Sequence, residues 1–201
     1  MQATILNCTL KPSPAESNTE ALARVVIDAL ERGDVETQLV RVADFDVKPG
    51  VSNDEGDGDE WPQILEKVLG SEILVVATPT WLGQPSSVSK RVLERMDALL
   101  SETDDDGRPV AYNRVAGVVV TGNEDGAHHS DRGRADRHRL HVPGQAWTYW
   151  NKGPGPGDSY LESDDDEGKE WSKTTGETAA QNLVAVAKAL AAQPVPAPPS
   201  G

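Results

Sequence analysis

The chain has 201 residues, 37% of them hydrophobic, which is enough for one buried core if those residues cluster. With 33 acidic against 19 basic residues its net charge is -14, a balance that repels polyanions and argues against nucleic acid or an anionic membrane surface as a partner. No run approaches the roughly 20 apolar residues that span a bilayer, and the start MQATILNC shows no basic n-region or cleavage site, so a cytoplasmic protein is expected.

Residues 3–9 form the first apolar run and read as a strand; the single cysteine, Cys8, sits inside it and fits a reduced, buried thiol. A loop rich in Pro and Ser over residues 11–17 leads to apolar positions at helical spacing, Leu22, Val25, Val26, Ala29 and Leu30, with Gly33 where a helix C-cap belongs. Residues 35–42 alternate as a second strand. Residues 51–60, dense in Gly and Asp, read as a flexible acidic loop, after which Ile64, Leu65, Val68 and Leu69 mark a short helix ending near Gly70. Residues 73–77 are continuously apolar, as in strands buried on both faces. A helix over 86–100, carried by Val88, Val92, Leu93, Met96 and Leu99, and a strand over 115–120 repeat the cycle. Residues 151–174, polar and rich in Gly, Pro and Asp, read as an irregular surface excursion; the final helix is expected over 179–192. The run QPVPAPPSG has too little apolar surface to pack, so residues 193–201 are expected to be a disordered tail after a single domain over 1–192.

Strand and helix alternate, which argues for a mostly parallel sheet with helices on both faces, because parallel neighbours need helical crossovers. In such sheets ligands bind outside the carboxyl ends of the strands, where strand order reverses. The loop after the first strand runs TLKPSPAESNT and offers Ser17, Asn18 or Thr19 as N-cap; with Lys11 nearby it is either an ordinary cap or a cradle for a phosphate. The segment after the third strand, TPTWLGQPSS, has two stiffening prolines, a permissive glycine and a flat tryptophan, suited either to a tight turn with a core tryptophan or to a planar ligand. The segment after the fourth strand, TGNEDG, is a polar turn or a ligand edge.

These three segments resemble the flavin loops of flavodoxin-like NAD(P)H-dependent FMN reductases, the flavodoxin family oxidoreductases. SNTEAL is similar to the family's phosphate site, TPTWLGQPSS to the loop around the isoalloxazine ring and VVVTGNEDGAHH to the third flavin loop; the likeness covers residues 3 to about 126, and 145–151 again. The resemblance implies a three-layer α/β sandwich with a five-stranded parallel sheet of order 2-1-3-4-5 and helices on both faces. It implies bound FMN reduced by NADPH or NADH, electrons passed to a quinone, a free flavin or another small acceptor, and a homodimer whose partner helps cover the flavin. Carried over by position, Ser13, Ser17, Asn18 and Thr19, with Lys11, would hold the phosphate. Pro79, Thr80, Trp81, Leu82, Gly83 and Gln84 would frame the ring, and Thr121, Gly122, Asn123, Glu124, Asp125 and Gly126 would close its other edge. Hydride transfer between stacked rings needs no acid, base or nucleophile from the protein, so no catalytic residue is assigned.

Residues 130–141, SDRGRADRHRLH, depart from the family, which has here an amphipathic helix ending in a leucine, an aspartate and an Ile-Gly-aromatic turn. One choice among the synonymous codons for Arg134 to His141, CGC GCT GAC CGA CAT CGG CTA CAC, gives Ala-Leu-Thr-Asp-Ile-Gly-Tyr-Thr when read one nucleotide later. Translation of this stretch out of frame is therefore a hypothesis that the coding DNA tests: a nucleotide sequence without that second frame ends it. If the stretch is genuine, the helix covering the fourth strand loses its apolar face. His128, His129, His138 and His141 lack the Cys or carboxylate spacing of a metal site, and the arginines lack the aromatics of a nucleic-acid patch. Trp147, Tyr149 and Trp150 are expected to pack at the end of the sheet or line the mouth of the pocket. Two other functions share this fold: a flavodoxin-type electron carrier, which strong acidity suits, and a flavin-free scaffold.

Overall fold

The computed structural model describes residues 1–122, 138–151 and 157–199. Five parallel strands lie in the order β2-β1-β3-β5-β6: β1 (Gln2–Asn7), β2 (Glu36–Arg41), β3 (Ile73–Trp81), β5 (Val115–Gly122) and β6 (Trp147–Asn151). A sixth, β4 (Gln84–Pro85), pairs antiparallel with the end of β3. The expected order of five strands thus holds, with this short hairpin added. Alternation along the strands builds two cores. Ile5 and Val75 face one layer, where α1 (Asn18–Arg32) and α4 (Asp166–Ala192) pack. Leu6 and Val76 face the other, under α2 (Trp61–Leu69) and α3 (Ser87–Arg95). Cys8 is buried in that second layer, its thiol donating to Leu6 O at 3.7 Å.

Several boundaries differ from those expected. The third strand runs four residues past Ala77, through Thr78, Pro79 and Thr80 to Trp81, because Pro79 and Thr80 stay in register with Thr121 and Pro85. The helix expected over 86–100 is α-helical only to Arg95 and closes as a 3-10 turn, Met96–Leu100. The final helix begins at Asp166, so the second part of the expected surface excursion is helical. Its front half is rich in Ser, Thr and Gly, poor helix formers by themselves. Tertiary contacts decide it: Asp165 caps Gly168 N–H, Thr148 donates to Ser172 O, and Ser172 donates to Tyr149 O. At Gly176 the helices cross so closely that a Cβ would stand 2.9 Å from Val25 Cγ1.

The acidic loop expected to be flexible is pinned. Asp59 and Arg95 form an ion pair of 2.7 Å with both side chains 0% exposed, and Arg95 also donates to the carbonyls of Ser52 and Lys48. Residues 193–199 carry no helix or strand, yet Val195 exchanges two hydrogen bonds with Asn113. Of the arginine-rich segment, residues 130–137 lie outside the described residues, as do His128 and His129; His138 and Leu140 are buried, and His141 bridges to Val115. No helix among the described residues is long and apolar enough to cross a membrane.

Candidate functional site

β1 pairs with β2 on one side and β3 on the other, so the chain leaves their carboxyl ends in opposite directions and opens a crevice between the loops. A cavity of about 220 Å³ lies there.

Its first wall is the loop after β1, through Thr9, Leu10 and Lys11, followed by Ser17, Asn18 and Thr19 at the start of α1. Ser17 is the N-cap, its hydroxyl accepting from Glu20 N–H at 3.1 Å. The N–H groups of Asn18 and Thr19 have no intrahelical acceptor, as in any first helical turn, and make no hydrogen bond among the described residues. They sit at the positive end of the helix dipole. A network behind the wall holds it: Arg41 bonds Glu20 at 2.6 Å and the Ala15 carbonyl at 2.7 Å, and Asn7 reaches both Glu20 and Ser17. Burial would raise the Glu20 carboxyl, but its hydrogen bonds to Arg41 and Arg24 outweigh that and hold it below the ordinary value. Ser13 is not part of this wall. Its N–H and hydroxyl donate to the Asp44 carboxylate at 2.6 and 2.7 Å, tying the loop to the turn after β2 and lowering the Asp44 pKa.

The second wall is the end of β3, where Pro79, Thr80 and Trp81 line the cavity. Trp81 pairs with Gln84 across a two-residue turn with φ of +51° at Leu82 and +70° at Gly83, the signs a type I′ hairpin requires. Leu82, Gly83 and Gln84 do not line the cavity; they project past it, Leu82 being 90% exposed and Trp81 53%. A leucine at positive φ is strained, and such strain collects at working sites. Ser86 fastens this hairpin to the first wall, donating from its hydroxyl to Cys8 O at 2.7 Å and from its N–H to the Thr78 hydroxyl.

The third wall combines Thr121 and Gly122 with Trp150, one of the aromatics expected at the end of the sheet or the mouth of the pocket, and with two residues the sequence reading did not assign, Ser159 and Tyr160. Thr121 shares a 2.8 Å hydrogen bond with the Thr19 hydroxyl, joining β5 to α1. Asn123, Glu124, Asp125 and Gly126 lie outside the described residues. Trp150 is 2% exposed, and its indole Nε1–H has no hydrogen-bond acceptor among the described residues. Tyr160 stands edge-on to it at 5.8 Å, and burial pushes the Tyr160 phenol upward, so it stays a neutral donor. An aromatic strand end signals Trp150 in the sequence; Ser159 and Tyr160 lie in a polar stretch with no local signal, and only the tertiary path brings them to the cavity.

Among the described lining residues Lys11 is the only charged one and no carboxylate occurs, although the chain carries a net charge of -14. A cation, free helix N–H groups and flat apolar rings fit a ligand with an anionic tail and a planar head, which is the form of FMN. No group of three His, Cys, Asp or Glu that could hold a metal occurs among the described residues.

The sequence profile of the family described as NADPH-dependent FMN reductase (FMN_red) matches residues 1–143. The 8-demethyl-8-aminoriboflavin-5'-phosphate synthase of Streptomyces davaonensis is 35% identical over 178 residues, spanning 83% of this chain and 69% of that protein. A protein described as divalent metal cation transporter MntH of Mycobacterium bovis is 37% identical over 169 residues, 81% of this chain but only 25% of that protein. The crystal structure of RosB with bound 8-demethyl-8-formylriboflavin-5'-phosphate superimposes with a TM-score of 0.83 at 34% identity, covering 97% of this chain and 82% of that one. The chain belongs to the NADPH-dependent FMN reductase family and is an oxidoreductase-type enzyme.

Proposed function

We propose that this enzyme binds FMN in the crevice at the carboxyl ends of β1, β3 and β5, is reduced by NADPH or NADH, and passes the electrons to a small acceptor such as a quinone or another flavin. The observation that carries this reading is the first wall: two N–H groups at the start of α1 that make no hydrogen bond among the described residues, with Lys11 in the same lining and no carboxylate among its described residues. Bound there, FMN would supply a ring that takes a hydride at N5 and hands electrons on. The chain's own residues would bind and orient. Ser17, Asn18, Thr19 and Lys11 would hold the phosphate, Pro79 to Trp81 would frame the ring, and Thr121 and Gly122 would close its opposite edge. The exposed Trp81 and Leu82 at the hairpin tip favour a homodimer in which a second copy covers the ring side. The protein would work in the cytoplasm.

The identity with the aminoriboflavin phosphate synthase favours a second reading, in which a riboflavin 5'-phosphate is the substrate and leaves with its ring altered. One preparation separates the two. Fresh protein is examined for visible flavin absorbance with and without added FMN, then incubated with NAD(P)H and a quinone, and the flavin is recovered for mass analysis. NAD(P)H consumption with FMN unchanged supports the reductase, and FMN of altered mass supports the synthase-like reading. Bound, unaltered flavin without NAD(P)H turnover points to an electron carrier. Protein that stays colourless with FMN overturns every one of these.

A further inference from the structure

The first turn of α1 carries half of a capping box. In the pattern S-x-x-E the cap hydroxyl accepts from the N–H three residues on, and the glutamate turns back to accept from the N–H of the cap residue. Ser17-Asn18-Thr19-Glu20 has this pattern, and its first half is made, Ser17 Oγ accepting from Glu20 N–H at 3.1 Å. The second half is not. The Glu20 carboxylate accepts instead from Arg41 at 2.6 Å, Asn7 at 3.3 Å and Arg24 at 3.2 Å, and Ser17 N–H makes no hydrogen bond among the described residues. The N–H groups of Asn18 and Thr19 are in the same condition, and all three residues line the cavity.

Arg41 explains why the box stays open. It is the last residue of β2 and does not itself line the cavity. Its side chain is 11% exposed, and its other terminal nitrogen donates to Ala15 O at 2.7 Å, which fixes the guanidinium behind the loop. Arg24 is half-exposed on the same helix as Glu20, and Asn7 carries no charge, so Arg41 is the partner that both holds and neutralises this carboxylate. Without Arg41, a carboxylate at the third helical position finds a second answer close by, in the open N–H groups and the positive end of the helix dipole.

We propose that Arg41 is a positioning residue that withholds the Glu20 carboxylate from the capping box, so that the helix's own glutamate does not occupy the N–H groups an anionic ligand needs. This rests on the flavin-phosphate reading above and names a residue outside the cavity on which that reading depends. Glu20 is thus an internal competitor for the ligand, and the ion pair with Arg41 keeps it out of the contest.

The test is titration of the flavin-free full chain with FMN and riboflavin, followed by quenching of flavin fluorescence, in the unaltered protein, in Arg41→Met and in Arg41→Met combined with Glu20→Gln. Arg41→Met should weaken FMN about tenfold, because a carboxylate now competes with the phosphate, and leave riboflavin within about twofold. The double variant has lost both members of the ion pair, yet it should bind FMN within about threefold of the unaltered protein. A loop that is merely loosened predicts no such rescue. A double variant as weak as Arg41→Met, or an Arg41→Met that binds FMN as well as the unaltered protein, overturns the proposal and leaves FMN binding itself in place. Arg41→Lys keeps a cation beside Glu20 and should also stay within about threefold; a tenfold loss there overturns the proposal even if Arg41→Met does not fold. The crystal structure of flavin-free Arg41→Met is a readout that needs no ligand: the Glu20 carboxylate should accept from Ser17 N–H, and one still turned to Asn7 overturns the proposal. An unaltered protein that binds neither flavin overturns the flavin reading and this role with it.

Discussion

Two regions of this protein bury polar groups, and they do so in opposite ways. Around Asp59 and Arg95 the two opposite charges answer each other within the chain, although the Trp61 indole N–H beside them has no hydrogen-bond acceptor among the described residues. Every guanidinium nitrogen faces an oxygen of Ser52, Lys48 or Asp59, and the Asp59 carboxylate accepts from the N–H groups of Glu55, Trp61 and Lys48. Arg95 also lies over the Trp61 ring at 5.6 Å. At the carboxyl ends of the strands the balance is reversed: helix N–H groups, an indole N–H and a phenol stand without acceptors from the described residues. Buried donors left unanswered weaken a fold unless something else answers them, so the first region reads as a brace and the second as a binding site.

The largest effect should come from breaking the brace on one side. Arg95→Met leaves the Asp59 carboxylate buried and unpaired and should remove about 3–5 kcal/mol of stability in urea denaturation. Adding Asp59→Asn in the same chain should recover most of that loss, because the uncompensated charge is gone. A single variant as stable as the unaltered protein would show that the pair does not brace anything.

Acid is the next lever. The hydrogen bond from Arg95, then those from the backbone of Glu55, Trp61 and Lys48, outweigh burial and hold the Asp59 carboxyl well below the usual carboxylate range. A pKa depressed by folding gives stability that is complete above the unfolded value of about 4 and is lost as pH falls below it. Denaturation midpoints measured down the acid limb should therefore fall below about pH 4, and Asp59→Asn should flatten that fall. Glu20, lowered more modestly by Arg41 and Arg24, should contribute in the same direction, so Glu20→Gln flattens the limb by less.

Changes in the pocket should show the converse pattern, with little effect on folding and a clear effect on binding. Lys11→Met should weaken FMN about three- to tenfold, an effect that shrinks with added salt, while stability stays within about 0.5 kcal/mol. The smallest folding effect is expected for Tyr160→Phe: the hydroxyl has no hydrogen-bond partner among the described residues, so stability without ligand should change by no more than about 0.5 kcal/mol. A loss well beyond that in thermal or urea unfolding would place Tyr160 with the brace rather than with the site.

Much of the fold was legible because its signals are local. The β-branched run ILVVA marks β3, the helical spacing of Leu22, Val26 and Leu30 marks α1, and Ser17 marks the cap that β1 feeds into. The first wall of the site follows directly from that strand-loop-helix unit. The hairpin at Trp81 was read as a loop because its pairing partner, Gln84–Pro85, is too short to register as a strand, and Leu82 hides the positive φ that a second glycine would have advertised. Ser13 was grouped with the phosphate residues on its type and position, but Asp44, 31 residues away, takes both of its donors. Residues 166–174 read in the sequence as surface excursion because their composition is unfavourable to helix, and the contacts that make them helical come from β6.

By itself, then, the order of residues determined the alternation of strands and helices, the parallel sheet they must form and two of the three walls at its carboxyl edge. These rest on periodicity, capping and chain connectivity, which act between near neighbours. Tertiary structure alone decided that Arg95 reaches back to Asp59 and that Tyr160 returns to α1, 142 residues after Asn18. Such contacts depend on where two distant segments end up in space, and nothing in the spacing of residues along either segment encodes the distance between them.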